Sequence, residues 1–200
     1  MKFKNIILDM GNVLLDYNPD AVVNKFCSNE ESKSLIIKEF FLGDEWKQMD
    51  LGYMTSNEAF EKVKTRIPPT YHNELKKCVY EWDFCMICIN GAKEFCYCAK
   101  QYGYRLYVLS NASLDFYRYF PIQYDVNLFD GIVLSSEAHI LKPNSEIYKL
   151  LLNKYDLKPE ECIFVDDRKE NVLAAEELGM TGWVFENNYG ELKKLLKLHT

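Results

Sequence analysis

At three places in the chain a reactive side chain follows directly on a short apolar run, and a fourth pairs a lysine with a helix start. Ile6-Ile7-Leu8 runs into Asp9, with Met10-Gly11-Asn12 behind it, and Val108-Leu109 runs into Ser110-Asn111. Phe164-Val165 runs into Asp166-Asp167, and Leu141-Lys142-Pro143 stands where a helical pattern begins. If the apolar runs are strands of one parallel sheet, these groups share an edge, because ligands of open α/β sheets bind outside the carboxyl ends of the strands. Two or three carboxylates at one point resist ionisation unless a cation joins them. Hard oxygen ligands suit Mg²⁺, which keeps waters and phosphate oxygens in its shell. An ammonium and a small hydroxyl beside it make an anion site. The set suits phosphoryl transfer, with in-line attack by Asp9, a metal bridging nucleophile and phosphate, and Lys142 and Ser110 on the other oxygens.

The elements that must position these groups follow from periodicity. A first strand is predicted over residues 3–8, and further strands over 105–109, 131–134, 161–165 and 182–185. Helices are predicted over 144–155, 170–178 and 189–198, the middle one closed by Gly179, and one more runs from Asn90-Gly91 to about Tyr102. Strands alternating with helices imply βαβ units and a parallel sheet. The stretch between Asp16 and Asn90 is different, with helical spacing and no convincing strand. Asn18-Pro19 reads as an N-cap followed by proline at the first helical position. Ser28-Asn29-Glu30-Glu31 and Thr55-Ser56-Asn57-Glu58 both fit a capping box, and Pro68-Pro69 interrupts the pattern before a last helical run over 71–82. The expected architecture is α/β: a Rossmann-like parallel core of residues 1–16 and 90–200, with an all-helical cap, residues 17–89, inserted after the first strand. A module inserted at that edge has a natural role as a lid.

Composition narrows the function classes. The 200 residues are 48% hydrophobic and 27% charged, with a formal net charge of −6. That is an ordinary globular composition, and an acidic balance argues against a nucleic-acid or anionic-membrane partner. It leaves room for a small anionic substrate, because one metal and one lysine reverse the local field. No apolar run approaches a membrane span and no secretory signal is visible, so the seven cysteines read as reduced thiols and the protein as cytoplasmic. Oligomeric state is not legible.

Taken in order, the four stretches resemble the motifs of the haloacid dehalogenase-like hydrolase superfamily, over residues 3–185. Ile-Leu-Asp9-Met-Gly-Asn-Val-Leu is similar to its first, Val-Leu-Ser110-Asn111 to its second, Lys142-Pro143 to its third, and Phe-Val-Asp166-Asp167 with Ala174-Ala175 and Leu178-Gly179 to its fourth. The details look closest to the branch of glucose-1-phosphatase-like enzymes and the phosphatase domain of soluble epoxide hydrolase. The resemblance implies a Mg²⁺-dependent phosphatase of a small phosphorylated metabolite, such as a sugar phosphate, working through an aspartyl-phosphate on Asp9. It implies Mg²⁺ on Asp9, the Gly11 carbonyl and Asp167, with Asp166 supporting the metal or orienting Lys142. Ser110 and Asn111 would bind phosphate through hydroxyl and backbone N–H, and Lys142 would neutralise it.

One departure from the family pattern matters. Phosphatases of this superfamily mostly carry a second Asp two residues after the first, as general acid and base, and Gly11 stands there. General acid catalysis is worth about 10²–10⁴-fold, so the loss should weigh most on poor leaving groups, and Gly11→Asp should speed their hydrolysis. Asp16 and Asn12 are candidate substitutes. Two rivals follow: dehalogenase chemistry, in which the same Asp displaces halide without a metal, and a weakly catalytic or inactive family member that binds a phosphorylated ligand. Elsewhere, Cys85, Cys88, Cys96 and Cys98 lack metal-ligand spacing and read as small core residues. His72, His139 and His199 stand apart and read as surface or satisfied residues. Trp46, Tyr53 and Trp82 read as packing within the helical insert rather than substrate contacts, with one member of the 46–53 stretch a candidate to face the pocket, and Arg168 reads as a surface charge or a substrate contact.

Overall fold

The central element is the strand that ends at Asp9. In the computed structural model, which describes residues 3–198, the sheet consists of β1 (Asn5–Leu8), β2 (Arg105–Ser110), β3 (Gly131–Leu134), β4 (Cys162–Asp166) and β5 (Thr181–Val184). All pairings are parallel and the order is β3-β2-β1-β4-β5. Strand β1 therefore lies between the Ser110 strand and the Asp166 strand. A central strand of a parallel sheet is covered on both faces, which explains why Asn5-Ile6-Ile7-Leu8 shows no polar alternation and is buried throughout.

Side chains alternate across the sheet. Ile7, Leu109 and Phe164 pack under α9 (Ser145–Lys154) and α10 (Lys169–Glu176) through Ile147, Leu151, Val172 and Ala175. Ile6, Leu8, Val108 and Val165 face the other way, towards α6 (Ala92–Gln101) and α11 (Tyr189–Leu196) through Phe95, Cys96 and Leu192. This second apolar cluster continues without a break into the helices that follow β1.

Those helices are α1 (Pro19–Phe26), α2 (Glu30–Ile36), α3 (Asp44–Asp50), α4 (Ser56–Val63) and α5 (His72–Tyr80). A π-helical turn, Ile37–Phe41, carries α2 towards α3, and a 3₁₀ turn covers Trp82–Cys85. Asn18 caps α1 with Pro19 at its first position, and Thr55 and Glu58 form the reciprocal capping box of α4. The box predicted at Ser28 does not form. Asn29 caps α2 instead, its Oδ1 accepting the Ser32 N–H at 2.9 Å, because asparagine one residue on outcompetes Ser28 for the same orphan donors.

Other boundaries move by a residue or two. The first strand starts at Asn5 rather than residue 3, and the last strand and last helix end at Val184 and Leu196. Gly179, at φ +89°, follows α10 as a left-handed residue should. Two helices had no sequence expectation: α7 (Phe116–Gln123), which carries Pro121 inside it, and the single turn α8 (Ser135–Ala138). No helix among the described residues is long and apolar enough to cross a membrane.

Candidate active site

Register sets the site. Leu8 pairs with Val108 on one side and Val165 on the other, so the next residues along, Asp9, Leu109 and Asp166, come level on three adjacent strands. Lys142 meets all three. Its Nζ donates to Asp9 Oδ1 at 2.8 Å, to Asp166 Oδ2 at 2.7 Å and to the Leu109 carbonyl at 2.8 Å. An ammonium has three donors, so all three are spent on protein acceptors. Burial opposes the charge on Lys142, but the two carboxylates outweigh it and hold the pKa above the ordinary lysine value. Lys142 is only 4% exposed, so what it can offer a group at the edge is its field and the fixing of Asp9.

The three aspartates differ in what they have left to give. Asp166 accepts from Lys142, from Asn171 Nδ2 on both oxygens and from the Arg168 N–H. Both its oxygens are engaged, which makes it a residue that orients Lys142. Asp9 takes the Met10 N–H and Lys142 both on Oδ1. Burial raises its pKa, Lys142 pulls it back, and Asp166 adds a further rise. Asp167 accepts from Asn12 Nδ2 at 3.0 Å on Oδ2. Asn12, at φ +54°, also takes the Tyr17 N–H on its own Oδ1 at 3.1 Å. Asparagine tolerates that left-handed conformation, and here it serves to aim Asp167.

Asp9, Asp166 and Asp167 each place a carboxylate oxygen within 4.8 Å of the others. Gly11 lies between Asp9 and Asn12 in a bridge closed by Asn12 N–H to the Leu15 carbonyl and Leu15 N–H to the Met10 carbonyl. The bridge uses neither polar group of Gly11. Hard oxygens, two of them from carboxylates with a free lone pair, fit a small divalent cation.

Ser110 and Asn111 end β2 beside this group. Ser110 is buried and lines the cavity. The Asn111 side chain clamps the main chain of Lys142, donating to its carbonyl at 3.0 Å and accepting its N–H at 2.8 Å. What Asn111 offers a ligand is therefore its backbone.

The cavity above these residues holds about 370 Å³, within the roughly 300–1,000 Å³ typical of small-molecule sites. Its far wall comes from the helical segment and is aromatic: Tyr17, Phe41, Trp46, Trp82 and, from α7, Tyr119. Trp46 and Trp82 meet edge to face, with ring centroids 5.0 Å apart, and Trp82 meets Tyr119 in the same way at 5.3 Å. Phe41 reaches the wall from the π-helical turn, a distortion that recurs at functional sites. One carboxylate, Asp50, interrupts the apolar surface. Trp46 and Trp82 thus pack within the helical segment, as the sequence suggested, and also line the cavity.

The sequence profile of the haloacid dehalogenase-like hydrolases matches residues 3–179. The chain belongs to this family. The hydrolase is 29% identical to the sesquiterpene phosphatase astK of Aspergillus oryzae over 181 residues, 90% of this chain and 88% of that one. Its fold matches a family enzyme of Bacteroides thetaiotaomicron crystallised with magnesium and inorganic phosphate, at TM-score 0.77 and 21% identity, covering 95% and 98% of the two chains. It also matches the L-2-haloacid dehalogenase of Xanthobacter autotrophicus with chloropropionic acid covalently bound, at TM-score 0.65 and 13% identity, covering 99% and 85%.

Several residues singled out in the sequence lie elsewhere in the hydrolase. Asp16 is absent from the cavity lining, and its N–H is tied to the Ile87 carbonyl. Tyr53 lies outside the cavity and stacks on His139. His72 Nε2 is satisfied by the Lys64 and Ile67 carbonyls, and His199 lies outside the described residues. All seven cysteines are free, and among the described residues the only cluster suited to a metal is the aspartate trio. Arg168 borders the cavity but holds Glu170 at 2.8 Å. Asp50 is the addition, and Asn12, a candidate acid in the sequence, instead holds Asp167. The only signal for Asp50 was its place in the 46–53 stretch, of which Trp46 and Asp50 line the cavity.

Proposed function

We propose that this hydrolase is a Mg²⁺-dependent phosphatase that acts on a small phosphomonoester through an aspartyl-phosphate on Asp9. The observation that carries the reading is the convergence of Asp9, Asp166 and Asp167 within 4.8 Å, with the Lys142 ammonium bound to the first two. Three carboxylates and one lysine leave excess negative charge that a divalent cation would balance. Asp9, Asp167 and the Gly11 carbonyl would hold Mg²⁺, which supplies charge neutralisation between nucleophile and phosphate. Asp9 attacks phosphorus through the oxygen that Lys142 does not hold, and the ester P–O bond breaks. Ser110 and the backbone N–H of Asn111 bind the non-bridging phosphate oxygens. Lys142 favours the ionised form of Asp9 against its burial and offsets the phosphate charge. Water then opens the aspartyl-phosphate.

The aromatic wall supports an ester of a largely apolar alcohol. A sugar would need several polar partners there, and Asp50 is the one charged group on that wall. The name of the Aspergillus relative, a sesquiterpene phosphatase, agrees. In this reading residues 17–89 act as a cap over a core of residues 1–16 and 90–200. The partner is a small phosphorylated molecule, with no nucleic acid or membrane involved, and the setting is cytoplasmic.

The test is hydrolysis of p-nitrophenyl phosphate by the purified protein. Turnover that EDTA abolishes and Mg²⁺ restores is the expected result. Chloride release from chloropropionate in EDTA would favour dehalogenase chemistry. Thermal protection by phosphate with Mg²⁺, without turnover of any ester in a broad panel, would favour a binding role.

A further inference from the structure

The loop after Asp9 offers no proton to a departing alkoxide, because position 11 is glycine. A carboxyl stands on the opposite wall of the same cavity and has no part in the steps above. It belongs to Asp50, the last residue of α3. The Ser113 N–H and the Trp46 side chain bond to it, and the phenols of Tyr17 and Tyr119 lie close enough to feel its charge. Burial, reinforced by the charge of Asp9, pushes its pKa up to about 7. General acids are most effective with a pKa near the working pH.

Its position is fixed from outside the helix. Ser135 Oγ donates to the Asp50 carbonyl at 2.5 Å, and His139 Nδ1 lies 2.8 Å from the Leu51 carbonyl. Tyr53 stacks on the His139 ring with centroids 4.9 Å apart and planes 7° from parallel. Gly52 turns the chain at φ +72°, and the Ser136 carbonyl fills the space a side chain would need. Four consecutive residues are thus pinned to the loop and turn that follow β3. With its main chain held this way and its carboxyl bonded by the Ser113 N–H and the Trp46 side chain, Asp50 lines the same cavity as Asp9 and Ser110 without the mobility of a surface side chain.

We propose that Asp50 is the proton donor to the leaving-group oxygen, in place of the acid missing at position 11. The inference rests on the phosphatase reading. As Asp9 bonds to phosphorus and the ester P–O bond breaks, the Asp50 proton passes to the departing oxygen and leaves a neutral alcohol. When water attacks the aspartyl-phosphate, the P–O bond to Asp9 breaks and the proton lost by water returns to Asp50.

The experiment compares Asp50→Asn with wild type, both with Mg²⁺, over phosphomonoesters from p-nitrophenyl phosphate to a simple alkyl phosphate. The value followed is kcat/KM, which reports steps up to the first P–O cleavage. A loss of about 10²-fold is expected on the alkyl ester, shrinking as the leaving group becomes more acidic. Adding Gly11→Asp to Asp50→Asn should recover about tenfold or more on the alkyl ester, within the range general acid catalysis spans. Equal losses on every ester would reveal a merely structural role and overturn the inference, as would no loss at all. Should Asp50→Asn not fold, Asp50→Ser carries the same test, since it removes the carboxyl and keeps a small hydrogen-bonding group. The same two outcomes then decide. Wild-type protein that turns over no ester would instead remove the phosphatase reading, and this inference with it.

Discussion

The two walls of the cavity are built on opposite principles. The floor is made of adjacent strands whose register brings Asp9, the Leu109 carbonyl and Asp166 level around one ammonium. The Lys142 ammonium and both Asp166 oxygens are fully engaged there, so neither residue can move alone. The facing wall comes from a π-helical turn, α3, the turn after α5, and α7. Its side chains touch through aromatic edges, and its one carboxylate is held by contacts to the main chain around it. On the proposed phosphatase reading, the difference separates two tasks. The floor fixes where charge develops, which any ester of the same acid shares. The facing wall meets the alcohol, which differs between esters, and its helices can change without disturbing the register beneath.

The sharpest way to break this comparison is to remove the nucleophile. Asp9→Asn should lower turnover of p-nitrophenyl phosphate by about 10³-fold or more, for good and poor leaving groups alike, with an unchanged circular dichroism spectrum. A comparable loss restricted to some esters would show that the floor also reads the alcohol. The next effect is on stability. Asp166→Ala strips Lys142 of one of its two carboxylates and orphans Asn171 Nδ2. Removing one partner of a buried ion pair typically costs about 3–5 kcal/mol, measurable as a shift in the urea midpoint with EDTA present. A shift near zero would show that the floor is looser than its hydrogen bonds suggest.

The two walls were also unequally legible in the sequence. Asp9, Ser110 and Asp166-Asp167 follow apolar runs, so sequence order alone puts them at strand ends, and a parallel sheet puts strand ends on one edge. Even the fine structure of the floor has a local cause, because Lys142 reaches Asp9 and Asp166 through a register that buried alternation fixes. Nothing comparable marks the facing wall. Gln48-Met49-Asp50-Leu51-Gly52 reads as the end of any surface helix. Asp50 enters the cavity only because the next residues dock on Ser135, Ser136 and His139, contacts between segments about 85 residues apart. Trp46 and Trp82 are large apolar residues at helical spacing, and spacing cannot say which edge of a ring faces a void. The helix over Phe116–Gln123 escaped for a simpler reason: Pro121 looks like a breaker, yet the helix tolerates it near its carboxyl end.

A smaller effect concerns position 11. A Cβ built on Gly11 meets nothing nearer than Tyr17 Cβ at 3.9 Å, so the main chain there accepts a side chain. The sequence alone predicts an unconditional gain on poor leaving groups. With Asp50 across the cavity, the gain in an otherwise wild-type protein should stay below about tenfold on an alkyl phosphate, because one acid already spans the range such catalysis supplies. A gain of about 10²-fold or more would mean that the facing wall takes no part in proton transfer.

The smallest expected effect tests selectivity on the facing wall alone. Trp46 packs against Tyr17, Phe40, Phe41 and Trp82 in one aromatic cluster and lines the cavity. Trp46→Leu removes the flat surface but keeps an apolar side chain at that position. Taking apolar surface out of a binding pocket costs about 1–3 kcal/mol, so kcat/KM for a prenyl or aryl phosphate should fall by about tenfold to a hundredfold. Acetyl phosphate, whose leaving group is too small to reach the wall, should fall far less, because Asp9, Lys142 and Asp167 are untouched. The ratio of the two losses is the informative quantity. A ratio near one would place the alcohol elsewhere and leave the aromatic cluster with packing as its whole task.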